Sequence, residues 1–203
     1  MPTSAAKVRF AIDTRASQFT VQAFASGLIS AVAHSPKIAI REWSGDITMT
    51  DAMQNISVKV RVKAASLEVL DELRDDDRRE IHRVMNQEVL HTNRFPEIAF
   101  DSTEVKAEKQ REDLYKVNVR GSLTLHGVTN MQEFNGQVAV GVDSARAYGE
   151  FTLRQTDYDI RIASIAGGTL KLQDELKFFY YLVARSRLQE LETAGQGKVT
   201  GGT

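Results

Sequence analysis

Tyr115-Lys116-Val117-Asn118-Val119-Arg120-Gly121-Ser122-Leu123-Thr124-Leu125 holds Tyr115, Val117, Val119, Leu123 and Leu125 on one parity, with Gly121 between them. A strand sends alternate side chains to opposite faces, so this stretch predicts a half-buried strand. It runs into His126-Gly127, a pair suited to a tight turn. Downstream, Phe134, Val138, Val140 and Val142 repeat the pattern around Gly136. Upstream, Ile56, Val58, Val60 and Val62 alternate with Ser57, Lys59, Arg61 and Lys63. Further strands are expected near residues 7–13, 18–25, 36–50, 97–106, 146–154 and 175–185. About eight strands in sequential order with short connections predict an all-β antiparallel meander, and that length favours closure into a barrel over two open edges.

One segment has another period. Between Glu68 and Arg94, apolar residues fall at Leu70, Leu73, Ile81, Val84, Met85 and Val89, which is helical spacing. Asp75, Asp76 and Asp77 suit the positive end of a helix dipole, and Pro96 limits its far end. A single inserted amphipathic helix over about 74–91 is expected, packed across an end of the barrel. In the stretch 36–50, Ile38 and Ile40 share one parity while Trp43, Ile47 and Met49 take the other. A bulge near Arg41 or Glu42 would put all five on one face. In the closing strand, Leu176, Phe178, Tyr180 and Leu182 point one way and Phe179, Tyr181 and Val183 the other. An outward apolar face needs a cover, which the helix or a second subunit could supply. Residues 1–190 read as a single domain, and 191–203, with four glycines from Gly195 to Gly202 and little apolar content, as a disordered tail.

Composition narrows the function classes. The 203 residues are 42% hydrophobic and 26% charged, an ordinary globular mixture. Twenty-six Lys and Arg against 27 Asp and Glu leave a net charge of −1, which provides no global attraction to nucleic acid or anionic membranes. Aromatics are not interleaved with a basic stripe, so no nucleic-acid partner is expected. No apolar run approaches the length of a membrane-spanning helix. Zero cysteines exclude disulfides, thiolate metal sites and cysteine catalysis. Met1 to Lys7 contains no apolar leader core, so a cytoplasmic location is expected; a mature form cleaved from a leader would read the same and would be periplasmic.

The motifs, taken in order, resemble the YceI-like family of polyisoprenoid-binding proteins. Phe10-Ala11-Ile12-Asp13 and Ser17-Gln18-Phe19-Thr20-Val21 are similar to the family's first two strands. Arg94-Phe95-Pro96-Glu97-Ile98-Ala99-Phe100-Asp101-Ser102-Thr103 resembles its strand after the helical insertion. Gly121-Ser122-Leu123-Thr124-Leu125-His126-Gly127-Val128-Thr129 resembles its best-known signature. Phe151-Thr152-Leu153-Arg154-Gln155-Thr156-Asp157-Tyr158-Asp159-Ile160 and Asp174-Glu175-Leu176-Lys177-Phe178 complete the set, which spans about residues 8–185. Two departures stand out: Trp43-Ser44-Gly45 where many members have Phe before Ser-Gly, and Glu80-Ile81-His82-Arg83 as only a loose echo of Arg-Asp-x-His-Leu. Many members also carry an export signal. The resemblance implies a lipocalin-like barrel that binds a long apolar isoprenoid lipid, a polyprenyl chain or a quinone tail, for carriage or storage without catalysis; some members are dimers, so it also implies a homodimer, which would cover the outward face of the closing strand.

Such a ligand needs inward apolar residues left incompletely packed. Parity selects Phe19, Val21, Ile38, Ile40, Phe100, Leu123, Phe134, Phe151, Phe178 and Tyr180 as ligand-contacting candidates, with Ile98, Leu125 and Leu153 on the same faces. His34, beside Ser35-Pro36, is a candidate for a head group at the barrel mouth. His126 reads as a turn-fixing residue, while His82 and His91 read as solvated or capping. No His-x-His or His-x₃-His spacing exists, so no metal is expected, and no cofactor beyond a bound isoprenoid lipid or quinone. Gly-x-Ser-x-Gly is missing, Gly167-Gly168 reads as a turn, and Arg154 with Asp157 as a structural ion pair. Two other functions fit the same pattern. A ligandless interaction module would have a solid interior, and an enzyme acting on a similar lipid would need titratable residues converging at the mouth.

Overall fold

The computed structural model describes residues 7–26, 36–50, 54–162, 164–165 and 170–186. The strands are β1 (Lys7–Ile12), β2 (Gln18–Ser26), β3 (Lys37–Ile40), β4 (Trp43–Thr50), β5 (Gln54–Lys63), β6 (Leu67–Val69), β7 (Glu97–Lys109), β8 (Leu114–Leu125), β9 (Val128–Val140), β10 (Ser144–Arg154), β11 (Ser164–Ile165) and β12 (Leu170–Ser186). Eight of them run β1-β4-β5-β7-β8-β9-β10-β12, and β12 pairs back onto β1, so the antiparallel sheet closes as an eight-stranded barrel. β2, β3 and β6 pair beside one another and extend the wall from β12.

Register shows why there are more segments than wall strands. β1 and β2 lie end to end along β12, from Phe10↔Ser186 and Ile12↔Ala184 to Gln18↔Tyr181 and Gln22↔Lys177. β3 and β4 follow β2 and β1 in the same way, as β6 and β5 follow β3 and β4. Three wall strands are therefore each interrupted once, at 13–17, 41–42 and 64–66. The stretch 36–50 is accordingly not one strand with a one-residue bulge. It is two strands whose neighbours change at Arg41-Glu42, where the backbone bonds to Ser66 instead of to a regular ladder: Arg41 N donates to the Ser66 carbonyl (3.2 Å) and Glu42 N to Ser66 Oγ (3.0 Å). The first interruption is held likewise, with Asp13 N donating to the Val183 carbonyl (2.7 Å) and Val183 N to Ser17 Oγ (2.9 Å). Each break thus has partners for its backbone groups, which a buried break requires. The facing was read correctly: Ile38, Ile40, Trp43, Ile47 and Met49 all face the interior.

The helix, α1 (Asp75–Val84), continues into a single wider turn at Met85–Val89, so the helical segment covers nearly all of the expected 74–91, with regular geometry ending at Val84. Ile81, Val84 and Met85 turn toward the barrel interior, and α1 packs beside β6. It lies across an end of the barrel and leaves the outer face of β12 uncovered, so it is not the cover that Phe179 and Tyr181 call for: these remain 38% and 41% exposed. Val183 is buried, beside the Asp13 interruption. The β8–β9 hairpin turns on His126 (φ 53°) and Gly127 (φ 79°), two positive values that match the right-handed twist of the paired strands. The tail, Gly167-Gly168 and His34 lie outside the described residues.

Candidate ligand-binding cavity

The inward parity of nearly every wall strand converges on one cavity of about 700 Å³. It is within the size range, about 300–1,000 Å³, of ordinary small-molecule sites. All ten apolar candidates from the sequence line it: Phe19 and Val21, Ile38 and Ile40, Phe100, Leu123, Phe134, Phe151, Phe178 and Tyr180.

Six rings form an unbroken series around the wall. Trp43 meets Phe19 edge-on (5.9 Å between centroids), and Phe19 meets Phe178 (6.3 Å). Phe178 stacks on Phe151 (4.6 Å, 6° between planes), which contacts Phe134 (4.3 Å), and Phe134 contacts Phe100 (5.0 Å). Valines of β5 and β8, among them Val60, Val62, Val117 and Val119, line the remaining arc. Aromatic contacts of this kind fix the rings relative to one another, and the cavity stays open beside them.

Tyr180 is placed by two absent side chains. Its ring packs where a Cβ on Gly136 or Gly149 would stand, and its hydroxyl donates to the Asn135 carbonyl (3.2 Å). Burial pushes its phenol pKa up, so the hydroxyl remains a donor at neutral pH. Gly121 does the same for Phe100, whose Cζ would lie 2.6 Å from a Cβ there.

Charge enters the described lining at one place, α1 and the turn after it: Glu80, Arg83 and Glu88. Arg83 donates through Nε (2.9 Å) and Nη2 (2.7 Å) to Glu80, and its Nη1 lies 2.8 Å from Glu88. Hydrogen bonding to Glu80 and Glu88 raises the guanidinium pKa further, and the bond from Arg83 holds the Glu80 carboxyl below its ordinary value. Gln155, buried in the lining, donates through Nε2 to the Gln173 carbonyl (2.9 Å).

The described histidines do not line the cavity. His126 fixes its turn as expected, with Nδ1 3.2 Å from the Tyr158 carbonyl. His91 is not simply solvated or capping, because its Nδ1 lies 2.8 Å from His126 Nε2, a pairing over 35 residues that no local spacing announces. His82 contacts Asn86. Among the described residues, no group of three or more His, Asp or Glu could hold a metal ion, and no helix is long and apolar enough to cross a membrane. Arg154 pairs with Asp174 (Nε–Oδ2 2.9 Å) instead of Asp157, because β10 runs beside β12 and places Arg154 opposite Glu175.

The sequence reading missed Trp43, the valines of β5 and β8, and the inward face of α1 as lining. Their parity was legible, but their facing a void was not.

A family model of the YceI-like domain matches residues 6–184. The chain belongs to the YceI-like family. Solved YceI-like folds superpose on it over most of their length. BcnA of Burkholderia cenocepacia has a TM-score of 0.65 at 16% identity, covering 85% of this chain and 98% of its own. A polyisoprenoid binding domain from Saccharophagus degradans has a TM-score of 0.64 at 13% identity, covering 90% and 99%. The YceI protein of Campylobacter jejuni has a TM-score of 0.58 at 15% identity, covering 75% and 86%. At these identities the likeness shows the fold. No curated protein matches the sequence.

Proposed function

We propose that this protein binds one long isoprenoid lipid, a polyprenyl chain or the tail of a quinone, inside the barrel, and carries or stores it without altering it. The observation that carries the reading is the void: an apolar interior of about 700 Å³ belted by aromatic rings in contact with one another. Membership of the YceI-like family, which has a polyisoprenoid binding domain among its similar folds, supports the same ligand class. The physics suits it, since each isoprene unit moved out of water offers roughly 3–4 kcal/mol at ~0.8 kcal/mol per CH₂ before ordering costs. A ligandless module would need a filled interior. An enzyme would need titratable groups converging over the cavity, and the described lining has the mutually paired Glu80, Arg83 and Glu88 and, apart from them, the Tyr180 phenol, which burial keeps protonated. The reading includes a homodimer, for which the exposed Tyr148, Phe179 and Tyr181 form a ready outer surface.

Trp43 is the sole tryptophan and lines the cavity, so it reports occupancy directly. A prenylated benzoquinone titrated into delipidated protein is expected to quench Trp43 emission saturably, at one quinone per chain. Native mass spectrometry of freshly purified protein should show an added mass that organic solvent extracts as an intact isoprenoid, and a mass of two chains. A bare polypeptide mass together with unquenched Trp43 would overturn the binding reading.

A further inference from the structure

We propose, resting on the binding reading above, that the cavity mouth selects by head-group charge: Glu80 and Glu88 occupy the Arg83 guanidinium, so the protein accepts isoprenoids with an uncharged head and rejects those ending in phosphate or pyrophosphate.

A phosphate monoester brings about −1.5 to −2 charges at neutral pH and asks for guanidinium or ammonium donors in return. Arg83 is the one cation in the described lining, and its Nε, Nη1 and Nη2 all face carboxylates already. The neighbouring arginines are engaged as well. Arg74 bonds Asp77 (2.8 Å), Arg79 bonds Asp76, and Arg78 donates to the Val69 (2.9 Å) and Asp71 (3.2 Å) carbonyls. Across residues 71–88 seven acids stand against four arginines. An anionic head seated here displaces a carboxylate from Arg83 or faces surplus negative charge, while a hydroxyl or quinone carbonyl does neither. Glu80, Arg83 and Glu88 remain solvent-accessible, so the discrimination weakens with salt.

The test loads the whole chain with a prenylated benzoquinone and displaces it with geranylgeraniol or geranylgeranyl phosphate, each below its micelle-forming concentration, reading recovery of Trp43 emission. At low salt the alcohol is expected to displace at roughly tenfold lower concentration than the phosphate, a gap that narrows at high salt. In the Glu80→Gln/Glu88→Gln variant, with Arg83 released, the ratio should fall to about threefold or less. Glu88→Gln alone, which releases only Nη1, should give a ratio between the two. Phosphate displacing as well as or better than alcohol in the unmodified protein overturns the inference, and so does a ratio unchanged in both variants. Absence of any Trp43 quenching on loading is a different result: it removes the binding reading itself, and this inference with it.

Discussion

β12 carries four aromatic side chains in a row, and the pleat sends Phe178 and Tyr180 inward and Phe179 and Tyr181 outward. The inner pair is held from every side. Phe178 is stacked on Phe151 and flanked by Phe19, and Tyr180 lies over Gly149 and Gly136 with its hydroxyl on Asn135. The outer pair has little of this. Phe179 lies under the Lys177 ammonium (5.1 Å), Tyr181 faces Tyr148 across the strands, and both stay over a third exposed. Residues of like size on one strand thus do opposite things, and the neighbours decide which. A hollow barrel needs rings anchored to its wall, and glycines provide the space for them to lie down.

The inner side itself divides into packed and hollow parts, and the largest expected effect lies in the packed part. Tyr158 is fully buried, accepts a bond from Gln132 Nε2 (2.9 Å) on its hydroxyl, and does not line the cavity. Tyr158→Ala should destabilise the fold by about 3–5 kcal/mol in urea unfolding. Phe178→Ala, which enlarges a void already present, should cost clearly less while lowering quinone affinity. Equal costs would erase the distinction between packed and hollow. Next comes Gly149→Ala, whose Cβ would meet the Tyr180 ring and stand 2.7 Å from the Asn135 carbonyl. Turning Tyr180 into the void should cost about 1–3 kcal/mol and weaken quinone quenching of Trp43. Adding Tyr180→Ala should recover part of that loss, so the pair is expected to be non-additive in a double-mutant cycle.

A smaller effect concerns the link that holds Tyr158 in place. The Asp174 carboxylate accepts from Thr156 N (2.9 Å), Thr156 Oγ1 (2.7 Å) and Arg154 Nε (2.9 Å), bracing the turn Gln155–Tyr158. Burial pushes this carboxyl up, but the bonds from Thr156 and Arg154 outweigh it and hold it below its ordinary value. A carboxyl depressed in the folded state contributes stability that is fully present above its unfolded pKa of about 3.9 and is lost as pH falls through the folded value. Asp174→Asn should therefore cost about 1 kcal/mol at neutral pH, with the difference from the parent closing below about pH 4. A difference independent of pH would assign the loss to packing.

Much of this was legible in the sequence, and the missing parts share a cause. Period-two alternation fixed which faces of β5, β8, β9 and β12 turn inward, because parity is a local property. The parity change at Arg41-Glu42 marked a real irregularity, but its form, a break stapled to Ser66, depends on a residue 24 positions on. The pairings Arg154–Asp174 and His91–His126 likewise join residues 20 and 35 apart, brought together by register and by the hairpin turn. The void is the least legible of all. An inward Phe reads the same whether it fills a core or lines a cavity, and what separates the two is where Gly121, Gly136 and Gly149 fall beside Phe100 and Tyr180 across neighbouring strands.

The smallest expected effect on the fold lies on the outer side. In Phe179→Ser/Tyr181→Ser, two exposed rings, which lie beside Lys177 and Tyr148, are removed, and exposed positions of this kind change monomer stability by only about 0.5 kcal/mol each. Quinone quenching of Trp43 should be unchanged, because the cavity wall is built from the opposite face of the strand. The proposed dimer gives the outer pair its one demanding role, so sedimentation should show the variant as a monomer at concentrations where the parent is dimeric. Loss of quinone binding instead would mean that the two faces of β12 are coupled. The outer aromatics would then be part of what keeps Phe178 and Tyr180 against the wall.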